Sequence, residues 1–116
     1  MAADRLQGEL AELLTPWQPA VIQLVKATCD GAGERLIGVC GEAAGDPLLA
    51  LVLVGVGVRS LSMAAGKITA VKAALSRHNL EQCRRIADAA LAACSPEEAR
   101  TAALELADPS VEVLVS

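Results

Sequence analysis

Leucines at 6, 10, 13 and 14 recur at the spacing of one helical face, and the pattern stops at Thr15-Pro16. A second helix is expected from Pro19, a residue suited to the first helical position, to about Cys29, with Val21, Ile22, Val25 and Cys29 as its apolar stripe. Asp30-Gly31-Ala32-Gly33 ends it, and Glu34-Arg35 leads into a short apolar run, Leu36 to Cys40, that reads as a buried strand. Asp46-Pro47 has the form of a helix cap followed by a pre-set first helical residue. The run LLALVLVG behind it has no decisive period. It is expected to form a short helix, apolar all round and therefore buried, ended by Gly55 or Gly57.

Arg59 to Met63 alternates as a second strand, with Leu61 and Met63 on one side and Ser60 and Ser62 on the other. Ala64 to Lys67 reads as a loop, and Ile68, Val71 and Leu75 mark a helix that ends near Asn79. Leu80 to Cys94 follows as a helix with Ile86, Ala87, Ala90 and Leu91 inward. Ser95-Pro96-Glu97-Glu98 has the form of a capping box. The helix behind it ends near Asp108-Pro109, and VEVLV at 111–115 is expected as an edge strand or a frayed tail. Two strands about 23 residues apart with a helix between them are the unit of a parallel sheet with a right-handed crossover. The fold class is therefore α/β. Two parallel strands cannot cover both of their own faces, and a whole (β/α)8 barrel takes ~250 residues. Residues 1–116 read as a single partial domain.

Composition sharpens this picture. The chain is 53% hydrophobic, rich in Ala, Leu and Val, with Trp17 as its single aromatic residue. Thin aliphatic side chains of this kind fill the packed layers of parallel α/β proteins. A net charge of −4 argues against nucleic acid or an anionic membrane as the main partner. The first fourteen residues carry Asp4, Glu9 and Glu12 and do not resemble a signal peptide. The twelve uncharged residues from Pro47 to Val58 fall well short of the ~20 that a membrane span needs. A cytoplasmic location is expected.

The four cysteines form no C-x-x-C pair, and the lone His78 offers no zinc pattern. Cys29, Cys83 and Cys94 are expected as reduced, half-buried thiols, with Cys83 and Cys94 on one face of a continuous helix. Cys40 differs. It ends the first strand, where parallel α/β folds carry their reactive groups, and Gly38 and Gly41 strip bulk from both sides of it. The helix from Pro47 turns its positive end toward the same place, favouring an anionic ligand. Asp46 is expected to cap that helix, not to bind metal. Glu42 is assigned no catalytic role, Lys67 and Lys72 are expected as solvated helix-face charges, and Met63 as core.

The stretch GVCGEAAGDPLLALVLVGVGVRSLSMAAGKITAVKAAL closely resembles the C-terminal part of the phosphoenolpyruvate–protein phosphotransferase family, enzyme I of the bacterial sugar phosphotransferase system. Gly38, Cys40, Gly41, Glu42, Ala44, Gly45 and Asp46 fit its G-x-C-G-E-x-A-G-D block, and Gly55, Gly57, Ser60, Leu61, Ser62 and Met63 fit downstream. Ala2-Ala3-Asp4-Arg5 resembles an A-x-D-R segment of the family, and Trp17-Gln18-Pro19 its partner. The resemblance implies the C-terminal end of a (β/α)8 barrel of about two to three βα units, with extra helices, that binds phosphoenolpyruvate (PEP) at its mouth. It implies phosphoryl transfer to a histidine of a separate N-terminal domain and on to a phosphocarrier protein. It implies that Cys40 gives a proton to the pyruvate enolate and that Arg5 contacts the substrate, a role suited to a guanidinium fork. Magnesium is the implied cofactor, but the family's acidic ligands and its remaining substrate arginines belong upstream of Met1.

The polypeptide alone is therefore expected to carry out no phosphotransfer. Thr69 stands where the family usually has proline, and the sequence after residue 100 is not family-like. A sister enzyme, pyruvate phosphate dikinase, shares the C-G-E segment but usually continues with His-Gly-Gly, and Ala43-Ala44-Gly45 favours enzyme I. A non-catalytic self-associating module is the other alternative, because the helix at 47–55 calls for cover that a homo-oligomer would supply.

Overall fold

The computed structural model describes residues 17–115, so the helix expected over Leu6–Leu14 lies outside the described residues. The first described helix, α1, spans Pro19–Gly31, with the proline in its first turn and Val21, Ile22 and Val25 buried. Strand β1 is Gly38–Cys40 and pairs in parallel with β2, Ser60–Ser62, in the register Gly38 to Ser60, Val39 to Leu61 and Cys40 to Ser62. Both strands are shorter than the spans 36–40 and 59–63 expected for them. Leu36 is 74% exposed. Hydrogen bonds from Arg59 N to Ile37 O at 3.0 Å and from Gly41 N to Ser62 O at 3.1 Å close the ladder at either end.

Between the strands lie a four-residue helix, α2 (Glu42–Gly45), and then α3 (Pro47–Val56). The ambiguous LLALVLVG run is helical because its start is fixed chemically: Asp46 accepts from the backbone N–H groups of Leu48 and Leu49 at 3.0 and 3.2 Å. Its end is fixed by Gly57, whose φ of 122° no side-chain-bearing residue readily adopts. Every residue from Pro47 to Leu53 is buried, as is Val56. The cover comes from this chain itself, since α3 packs most extensively on α5 (Leu80–Leu91) and also touches α1, α4 (Ala65–Ser76), α6 (Pro96–Leu106) and α7 (Ser110–Leu114). The expectation that α3 needs a second copy for cover thus lapses. Gly55 marks the closest approach: a Cβ there would stand 2.6 Å from the Cys83 carbonyl carbon and 2.8 Å from the Ala87 Cβ.

Helix α4 begins at Ala65, so the expected loop at 64–67 is already helical by its second residue. Helix α5 opens with a capping box that the apolar pattern did not reveal. Asn79 Oδ1 accepts from Gln82 N and Gln82 Oε1 accepts from Asn79 N, both at 2.8 Å. It ends at Leu91, so Cys94 is exposed beyond the helix while Cys83 is buried on it, and the two do not share a face. At α6, Ser95 Oγ accepts from Glu98 N, but Glu98 reaches one residue past the cap to the Cys94 N–H. The segment 111–115 is no strand. Asp108 accepts from both the N–H and the hydroxyl of Ser110, starting α7, and fully buried Val111 anchors it. His78 ties this end to α4: Nδ1–H donates to Ala74 O at 2.7 Å and Nε2 accepts from Asp108 N at 3.0 Å.

Candidate functional site

Alternation along β1 sorts its three side chains. Val39 points into the aliphatic core at 1% exposure, while Gly38 and Cys40 face the other way with Ser60 and Ser62. The crowding at Gly38 explains its lack of a side chain, since a Cβ there would lie 3.2 Å from the Ser60 Cβ. Cys40 is exposed at the carboxyl end of the strand. Gly41 directly behind it holds a φ of 104°, so the chain turns sharply out of the strand into α2. A glycine is required there, and the turn leaves the Cys40 sulfur at the rim.

Beside this rim lies a cavity of about 550 Å³ whose wall includes Trp17, Gly41, Glu42, Asp46, Met63 and Lys67. Asp46 is its best-anchored side chain. Besides the two backbone donors of α3, its Oδ2 accepts from Trp17 Nε1 at 3.1 Å, so the carboxylate receives three N–H groups. The single aromatic residue of the chain therefore braces the loop that follows Cys40. Lys67 is exposed, as expected of a helix-face charge, yet its stem packs where a Gly45 side chain would stand, and it lines the cavity. Lys72 is exposed on the same helix. Met63 is half-buried, packed on the core and facing the cavity at once.

The remaining expected site residue, Arg5, lies outside the described residues. Among the described residues no group of three His, Cys, Asp or Glu side chains converges to hold a metal ion. Of the two carboxylates that line the cavity, Glu42 and Asp46, the latter is already committed to N–H donors. The described residues do not fit a magnesium site. The other cysteines are differently placed. Burial pushes the thiols of Cys29 and Cys83 up from their ordinary pKa, which keeps both protonated and unreactive. None of the helices among the described residues is long and apolar enough to cross a membrane.

Sequence reasoning placed Cys40 at a strand end, Gly41 behind it and Asp46 as the cap of α3, but gave no sign that Trp17 and Lys67 line one cavity with Gly41 and Asp46. A contact between residues 17 and 46 leaves no local signal. Lysine on a helix carries the same pattern whether it faces solvent or a cleft.

A family model described as "PEP-utilising enzyme, PEP-binding domain" matches residues 1–80. A phosphoenolpyruvate-protein phosphotransferase of Streptomyces coelicolor is 54% identical over 104 residues, covering 88% of this chain and 19% of its own length. One of Cupriavidus necator is 37% identical over 111 residues, covering 94% of this chain and 19% of its own length. A multiphosphoryl transfer protein of Xanthomonas campestris pv. campestris is 41% identical over 102 residues, covering 86% of this chain and 12% of its own length. The chain thus spans about a fifth or less of the length of these relatives.

Proposed function

The chain belongs to the PEP-utilising enzyme family, over its PEP-binding domain, and from that premise we propose that it forms one partial domain, the C-terminal end of the (β/α)8 barrel of a PEP–protein phosphotransferase. In this reading the cavity beside β1 and β2 holds part of PEP, and the protein acts in the cytoplasm. The phosphoryl group leaves for a histidine on another domain and passes on to a phosphocarrier protein. Breaking the P–O bond leaves the enolate of pyruvate. As its oxygen electrons reform the carbonyl, the carbon–carbon π pair takes the proton of the Cys40 thiol. Pyruvate gains its methyl group, and the thiolate left behind is reprotonated by water.

A thiol suits this chemistry, because it is mostly protonated at neutral pH and still gives up its proton readily. The observation that carries the reading is the position of Cys40, exposed at a strand tip beside a cavity while its neighbour Val39 is buried. Arg5 is proposed to grip the phosphate or carboxylate through its fork. Magnesium, implied by the resemblance, would be held by residues other than those described.

A second reading, a self-associating module, draws on the sheet itself. Among the described residues each strand has one partner, so each keeps an open outer edge on which a homo-oligomer could form. Thermal melting with and without PEP and magnesium separates the two. At a hundred times its Kd, PEP binding stabilises by about 2.7 kcal/mol, which in a domain of this size raises Tm by about 10 °C. No rise in Tm, together with a dimeric or larger mass by light scattering, would favour the module.

A further inference from the structure

Three ionisable side chains line the cavity beside Cys40: Glu42, Asp46 and Lys67. Asp46 is occupied by three N–H groups, and Glu42 is exposed in the first turn of α2. An anion entering here therefore meets one unopposed cation among the described residues, since Lys67 makes no ion pair with any of them. The lysine stem also packs against Gly45. A Cβ built on Gly45 would stand 3.1 Å from Lys67 Cγ and 3.3 Å from its Cβ, and 3.6 Å from the Met63 Cβ. Gly45 thus gives up its side-chain space to the lysine stem. That lowers the number of conformers the stem samples and directs it along the cavity wall.

We propose that Lys67 is a substrate-binding residue whose ammonium group contacts an anionic oxygen of PEP; this rests on the PEP-binding reading of the same cavity. A lysine does this as a compact point charge with three rotatable donors, without the planar match that an arginine fork demands. It offsets Glu42, which would otherwise repel the ligand, and supplies a charge contact on the cavity wall. The oxygen belongs to the phosphate or to the carboxylate, which inorganic phosphate and pyruvate represent singly.

The test is a titration of the 15N-labelled chain with PEP, followed at its backbone amides, for the wild type, Lys67→Met and Lys72→Met. Both variants remove one positive charge from the same helix and keep an aliphatic stem, so a general electrostatic effect moves them equally. Amides of Gly41 to Asp46 should shift in the wild type. Lys67→Met should weaken Kd about fivefold, the upper range for a partly exposed charge contact, while Lys72→Met leaves it unchanged and Lys67→Arg restores most of it. Repeating the titration with phosphate and with pyruvate identifies the group contacted, as the ligand whose affinity falls in Lys67→Met. The same loop shifts with an unchanged Kd in Lys67→Met would overturn the role of Lys67 and leave the PEP site standing. Loop amides that do not respond to PEP in the wild type would overturn both.

Discussion

Cys40 and Val39 are consecutive residues of one strand, yet they meet opposite environments, and that difference leaves the Cys40 thiol exposed while Val39 is buried. The alternation of a strand and the φ of 104° at Gly41 produce it together. Both features were legible in the sequence as a strand ending on cysteine between glycines. The brace on the loop was not, because the Trp17 Nε1–Asp46 Oδ2 bond joins residues 29 apart. Trp17→Phe keeps the ring and removes the donor to a charged acceptor, so urea denaturation should report a loss of about 1.5 kcal/mol. The buried thiols predict a pH effect. Burial raises the folded-state pKa of Cys83 above the ordinary 9.0, so the unfolded chain releases this proton first as pH rises. Stability is fully retained below about pH 9 and declines above it, towards the raised folded pKa. Urea midpoints measured between pH 7 and 10.5 should fall at the alkaline end, and less steeply in Cys83→Ala.

At the scale of elements, capping chemistry decided what hydrophobic pattern left open. Asp46-Pro47 was readable as a helix start, and it resolved a Val-rich run that periodicity could not. The mirror case is 111–115, where VEVLV alternates like a strand but forms α7, because Asp108 holds the N–H and hydroxyl of Ser110 and no strand among the described residues lies alongside. Tertiary context overrode β propensity there. The capping box at Asn79 and Gln82 stood in the sequence too, masked by an apolar pattern that began only at Leu80. Asn79→Ala should cost about 1 kcal/mol in denaturant midpoint analysis. Gly55→Ala is a sharper test of the α3–α5 contact. Alanine is the better helix former by about 1 kcal/mol, but the new Cβ would meet the α5 backbone 2.6 Å away. Overpacking of about 1–3 kcal/mol or more should win, giving a net loss in stability by thermal melting.

Across the whole molecule, a parallel βαβ unit was visible as one apolar run and one alternating run with a helix between them, and the register Cys40 to Ser62 brings both strand tips to one end. The extent of helix around α3 was not visible, since nothing in the run itself says which neighbours will cover it. The chain supplies those neighbours, and they leave the carboxyl ends of the strands as the open face with its cavity. Proton donation by Cys40 requires that PEP reach its sulfur. Alkylation by iodoacetamide, followed residue by residue by mass spectrometry, measures this directly, with Cys94 as an exposed internal reference. PEP should slow the reaction at Cys40 severalfold and leave the rate at Cys94 unchanged. Equal rates at Cys40 with and without saturating PEP would contradict a substrate site at this strand tip.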